Sequence, residues 1–192
     1  MTRLSEWVKS IARGWVVIVL LALFMLTTMV VFPLFSRMLQ VPKEGVEAID
    51  TQLGYTPARL YEIMEDYGET GRRGYAISHL TADLIFPLVY TFFFGTAISY
   101  TFRRAFSPHS ALQRLNLVPF GLFTVDLVEN SLLVILLLSF PARLEGLAWA
   151  AGVVTAVKWM FSTAVVLLVL VGLVGWAVAA VKKWQGKGQA QE

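Results

Sequence analysis

Cysteine is absent from the 192-residue chain. Disulfide staples, thiol chemistry, iron–sulfur ligation and cysteine-type zinc sites are thereby excluded. So are the four-helix quinone-linked disulfide enzymes, which depend on redox thiols. Charge is scarce as well: 15% of residues are Asp, Glu, Lys or Arg, where a water-soluble domain carries about 25%. Gly-rich phosphate loops, H-E-x-x-H and G-x-S-x-G are missing, which removes the usual signatures of nucleotide binding, zinc proteolysis and serine hydrolysis. No internal repeat is visible, so the inverted-repeat plan of many transporters gains no support.

Apolar sequence is abundant: 57% of residues are hydrophobic and the mean hydropathy is +0.65. The apolar residues fall into four runs, about 15–35, 80–102, 115–140 and 147–181. Runs of roughly 20 residues match the hydrocarbon thickness of a bilayer. The pattern predicts an all-α integral membrane four-helix bundle, with 1–192 forming a single four-span membrane domain. The first run could in principle belong to a cleaved signal peptide, but such a core is about 7–15 residues followed by a small-x-small site. This run has 21 residues and ends in Phe-Pro-Leu-Phe-Ser-Arg, so an uncleaved anchor is expected. The fourth run has 35 residues, about 52 Å of helix, and must tilt, project past the bilayer or begin with an exposed turn.

The net charge of +3 and pI near 9.3 do not point to nucleic acid, because Lys and Arg sit at the ends of apolar runs. Arg3, Lys9 and Arg13 precede the first, Arg103, Arg104 and Arg114 separate the second from the third, and Lys182, Lys183 and Lys187 follow the fourth. The positive-inside rule then places both termini in the cytoplasm. The outer segment 36–79 balances Arg37, Lys43, Arg59, Arg72 and Arg73 with seven acids. Within it Thr56-Pro57 reads as a helix start and Gly68 as its stop. Leu60, Ile63, Met64 and Tyr67 share one face, predicting a short amphipathic helix on the membrane surface or capping the bundle. A second is expected over 46–53. The tail 185–192 is polar and expected to fray.

Chemistry concentrates in the third run. Asp126, Glu129 and Asn130 form D-x-x-E-N, and spacings of three and four put all three on one helical face. An ionised carboxylate at mid-membrane costs at least about 2.5–3.5 kcal/mol, so this face must point inward and find partners. Lys158 is the expected cation. The midpoint of positions 129 and 158 falls in the short turn 141–146, which sets Glu129 and Lys158 level in an antiparallel hairpin. If the fourth span instead begins near residue 159, Lys158 snorkels at the outer interface. Asp83, near the start of the second run, either caps its helix or joins the same interior. Tyr90 and Tyr100 either give their hydroxyls to a polar interior or, the leading expectation, sit in core packing or an interfacial belt. His79 and His109 flank the second run on opposite sides, so they cannot hold one haem between them, and both are expected to face solvent. No metal site or cofactor is expected. The cluster serves either as a buried network that keeps helices in register or as a polar site for protons, a small molecule, a lipid headgroup or a partner helix.

Four segments, Tyr-Gly-Glu-Thr-Gly-Arg-Arg-Gly-Tyr (67–75), Asp-Leu-Ile-Phe-Pro-Leu-Val-Tyr (83–90), Asp-Leu-Val-Glu-Asn (126–130) and Thr-Ala-Val-Lys-Trp (155–159), resemble a group of small uncharacterised bacterial four-span membrane proteins. The resemblance implies a bacterial inner membrane and brings no activity or catalytic residue with it. The leading expectation is a binding or accessory protein whose polar cluster recognises a lipid, small molecule or partner helix. The alternative is an intramembrane enzyme or proton-coupled transporter with Asp126 or Glu129 as proton acceptor.

Overall fold

The computed structural model describes residues 2–39 and 45–189. Among these the chain is all-helical, without a strand. Its helices are α1 (Thr2–Ile11), α2 (Gly14–Leu26), α3 (Phe32–Leu39), α4 (Pro57–Leu80), α5 (Ala82–Ala105), α6 (Val118–Ser139) and α7 (Glu145–Gln189). Four helical stretches, Gly14–Leu39, Pro57–Ala105, Ala111–Ser139 and Glu145–Gln185, are long and apolar enough to cross a membrane. Their outward side chains are apolar: Ile18, Met160, Leu167 and Val174 are 68%, 71%, 55% and 63% exposed. A water-soluble bundle would bury that face.

The first stretch is continuous from α2 to α3 through a π turn, Thr27–Val31. Pro33 follows directly, and proline both lacks an N–H and crowds the carbonyl four residues back. A widened turn relieves that conflict. The Thr27 and Thr28 hydroxyls donate to the Leu23 and Phe24 carbonyls, each at 2.8 Å.

α4 begins as its sequence requires: Pro57 occupies the first turn and the Thr56 hydroxyl accepts from the Arg59 N–H at 3.3 Å. The expected stop at Gly68 is a kink instead. Gly68 has φ 64°, the left-handed region that glycine enters freely, and the helix then resumes to Leu80. The Arg72 guanidinium donates to the Met64 carbonyl at 2.8 Å, supplying a donor to an acceptor just before the kink. The second outer helix expected over 46–53 is a single 3-10 turn, Ile49–Thr51. The predicted apolar face of α4 is buried, with Leu60, Ile63, Met64 and Tyr67 at most 3% exposed. It packs with Ile49 against Leu133 and Leu136 of α6 and Ala148 and Ala151 of α7. Each such side chain contributes about 1.5–3 kcal/mol relative to exposure, so α4 caps the bundle rather than lying apart from it.

α5 and α7 run parallel, with α6 antiparallel between the same ends. At the basic end the N-terminal residues form a helix not anticipated from the basic flank. α1 buries Ser5 and Val8, and Ala12 just after it is buried too; Asn116 donates to the Ser5 carbonyl and to Ser99 Oγ at 3.1 and 2.9 Å. The Arg103 guanidinium donates to the Lys9 and Ala12 carbonyls. Here α7 also meets α5 closely. A side chain at Gly172 would collide with Thr101 and Phe102, and one at Gly175 would come within 2.8 Å of Ala105 Cβ. α7 continues through Gln189 into the tail expected to fray, of which 190–192 lie outside the described residues.

Candidate functional site

Towards the opposite end α5 and α7 no longer touch so tightly, and a cavity of about 510 Å³ lies between them, walled by α6 and by the π turn of the first span. The third-run motif faces this region because D-x-x-E-N falls on one side of α6. α7 answers with Thr155, Lys158, Trp159 and Ser162, spaced at three and four.

Glu129 is fully buried. One of its carboxylate oxygens contacts the Lys158 ammonium directly, and the other accepts from Thr155 Oγ at 2.6 Å. The contact drawn from the hairpin midpoint is therefore observed, and the Lys158 side chain turns into the bundle, 12% exposed. Its ammonium also donates to the Asp50 carbonyl at 3.2 Å and lies 3.8 Å from Asp126 Oδ1. A buried ion pair tolerates low dielectric only when further hydrogen bonds satisfy both members, and Thr155 and Asp50 supply them.

Asp126 accepts from the Tyr90 hydroxyl at 3.0 Å. Of the two readings for Tyr90, the hydroxyl in a polar interior is the one observed, in place of the leading one. Asn130 orients a second group. Its amide donates to the Asp83 carbonyl at 2.8 Å, which turns its oxygen towards His79 Nδ1 at 2.9 Å. The Asp83 carboxylate lies 3.1 Å from the same nitrogen. Both neighbours are acceptors, so Nδ1 is the protonated nitrogen. The expectation of a solvent-facing His79 is overturned: it is 2% exposed, and its Nε2 has no hydrogen-bond partner among the described residues. His109, at the other end, is exposed as expected. Asp83 stands in the first turn of α5 and also borders the cavity, so the helix-end and interior readings hold together.

The outer segment completes the site. Tyr75 donates to the Asp50 carboxylate and stands edge-on to His79, ring centres 4.8 Å apart. Gly152 lets the backbone of Tyr55 lie directly on α7, where a Cβ would collide with the Tyr55 carbonyl. The Tyr55 hydroxyl reaches Thr155 Oγ at 3.3 Å, and burial pushes that phenol above its ordinary range.

Asp50, Asp83, Asp126, Asn130 and Lys158 all border the cavity, whereas Glu129 does not. Among the described residues no three His, Asp or Glu side chains converge as metal ligands. Sequence reasoning does not bring His79, Thr155 or Asp50 to the site. The i,i+4 spacing of His79 and Asp83, and of Tyr75 and His79, is the available clue for two of the site's members.

Comparison with protein-family models, with curated proteins and with solved structures returns no match to this chain. Fold and site together define a class: an all-helical protein with four helices of membrane-crossing length and, among them, a mainly apolar cavity bordered by three acids and a lysine.

Proposed function

We propose that this chain is a binding protein of the bacterial inner membrane, both termini cytoplasmic, whose cavity holds a small molecule or lipid between the spans. The observation that carries the reading is the cavity itself: about 510 Å³, with Asp83, Asp126, Asn130 and Lys158 on its border. Ligand sites are typically apolar clefts of about 300–1,000 Å³ holding a few convergent polar groups. A cluster serving only to lock helices would be closed over; Asp126 and Lys158 instead keep 13% and 12% side-chain exposure. Localisation is supported by the gathering of Arg103, Arg104, Arg114, Lys182 and Lys183 with the basic N-terminus at one end.

A second reading, proton handling in an enzyme or transporter, is favoured by one detail. Asp126 meets the cavity while the nearest cation is already engaged by Glu129. This moves the proton-acceptor role to Asp126 and away from Glu129, which the cavity does not reach.

Native mass spectrometry of the purified protein tests the binding reading. Ser162 borders the cavity, so Ser162→Trp fills it, whereas Met160 is 71% exposed and Met160→Trp leaves it open. A bound non-protein mass should be present in the unaltered protein and in Met160→Trp, and lost from Ser162→Trp. No bound mass, or equal occupancy in both variants, rejects the reading.

A further inference from the structure

The cavity's wall chemistry narrows the occupant, on the footing that the cavity is a binding site. Among the described residues three acids border it, Asp50, Asp83 and Asp126, against one cation, Lys158; the Asp50 carboxylate is taken by Tyr75 and that of Asp83 by His79, which leaves Asp126 as the acid of the wall without such a partner behind it. That cation is already in contact with Glu129, which lies behind the wall. His79, the partner of Asp83, is buried outside the lining. With Lys158 matched by Glu129, the wall's negative excess rests on Asp126, 3.8 Å from the shared ammonium. Six aromatic side chains share the wall: Phe24, Phe32, Phe86, Tyr90, Phe94 and Trp159. These rings form a continuous panel, with Phe86 stacked on Phe24 at 5.6 Å and edge-on to Phe32 and Tyr90 at 4.9 and 5.4 Å. Ring faces are negative and attract organic cations, more strongly where water is excluded.

We infer that the occupant is a hydrophobic organic cation, an ammonium or phosphonium ion with apolar substituents and no anionic group, its charge beside Asp126 and its apolar groups on the phenylalanine panel. Free carboxylates and fatty acids would meet like charge. A zwitterionic lipid headgroup brings a phosphate beside its ammonium, and among the described residues the one lysine on the wall is taken. The route of entry follows from the packing. α2 lies along α5, and α3 along α4, while α7 lies along α5 and α6. The cavity is lined from both groups, so its open side faces outwards between the π turn, which contributes Thr28, and α7, which contributes Ser162 and Val166. Val166 is 49% exposed there. A hydrophobic cation dissolved in the bilayer reaches Asp126 laterally by that side.

Equilibrium dialysis of the full chain in a neutral detergent tests this with two ions of equal shape and opposite sign, tetraphenylphosphonium and tetraphenylborate. The phosphonium should bind saturably, lose binding in Ser162→Trp, and bind at least about tenfold more weakly to Asp126→Asn. The borate should show no Ser162→Trp-sensitive binding. Borate binding as tight as phosphonium binding at that site overturns the inference while leaving the cavity a binding site. Binding of neither ion, with the native bound mass still present and Ser162→Trp-sensitive, does the same; with no such mass, both readings fall. Should Asp126→Asn not be recovered folded, the sign preference of the unaltered protein decides alone.

Discussion

Glu129 and Lys158 stand level across the α6–α7 hairpin, carboxylate against ammonium, with Glu129 wholly buried. Removing either partner strands the other's charge among packed helices, a loss of about 3–5 kcal/mol for buried pairs. Removing both should cost much less. Thermal unfolding in detergent of Glu129→Gln, Lys158→Met and the double variant should show strong non-additivity, with the double variant more stable than at least one single. Simple addition of the two losses would mean that the pair contributes no coupling.

This register is legible in the amino-acid sequence, because a short turn between two apolar runs fixes which residues lie at equal depth. The four long helices are legible for a similar reason: bilayer thickness sets a minimum run that few other patterns imitate. The features that escape such reasoning depend on contacts between distant parts of the chain. His79 lies 51 positions from Asn130, and nothing local distinguishes a histidine at a helix end facing water from one folded under α6. Asp50 has no periodicity to mark it and reaches Lys158 from 108 positions away. Gly68 reads as a stop because a terminal glycine and a kinking glycine need the same left-handed conformation. α1 is hidden by its own charges: Arg3 and Lys9 suit a topological flank, yet Ser5 and Val8 between them are buried.

His79 provides the second prediction. Replacing it with Leu removes the donor that Asn130 and Asp83 share, leaving buried acceptors unmet at about 1–3 kcal/mol. His109→Leu, at an exposed position, should change stability by no more than about 0.5 kcal/mol. Melting temperatures of the two variants check this; equal, small effects would mean that His79 is not structurally engaged.

Gly152 and Gly146 offer a paired test of the outer segment. An alanine at 152 would drive its methyl into the Tyr55 carbonyl, whereas one at 146 meets nothing within 4 Å. Gly152→Ala should therefore push residues around Tyr55 off α7, at about 1–3 kcal/mol for an overpacked contact. Gly146→Ala should be neutral or stabilise by up to about 1 kcal/mol through helix propensity. Limited proteolysis should cut the 45–56 segment faster in Gly152→Ala and unchanged in Gly146→Ala. Equal rates would show that the segment does not rest on α7 as described.

The arrangement across the membrane gives the last prediction, and the natural lack of cysteine makes it clean to measure. Ser36 and Glu69 belong to the end that carries α4 and the 141–146 turn. Ser107 and Gln185 belong to the end where Arg103, Arg104, Lys182 and Lys183 gather. If basic residues stay on the cytoplasmic side, single cysteines at 36 and 69 should react with an impermeant maleimide in intact cells. Cysteines at 107 and 185 should react only after the cells are opened. Ser107, Glu69 and Gln185 are all exposed in the folded chain, so protection at 107 or 185 reports the membrane rather than burial. Inversion of all four results would reverse the orientation and keep the four spans. Labelling of 107 together with 69 in intact cells would be fatal to the four-span arrangement, because α5, the helix between them, would then not cross.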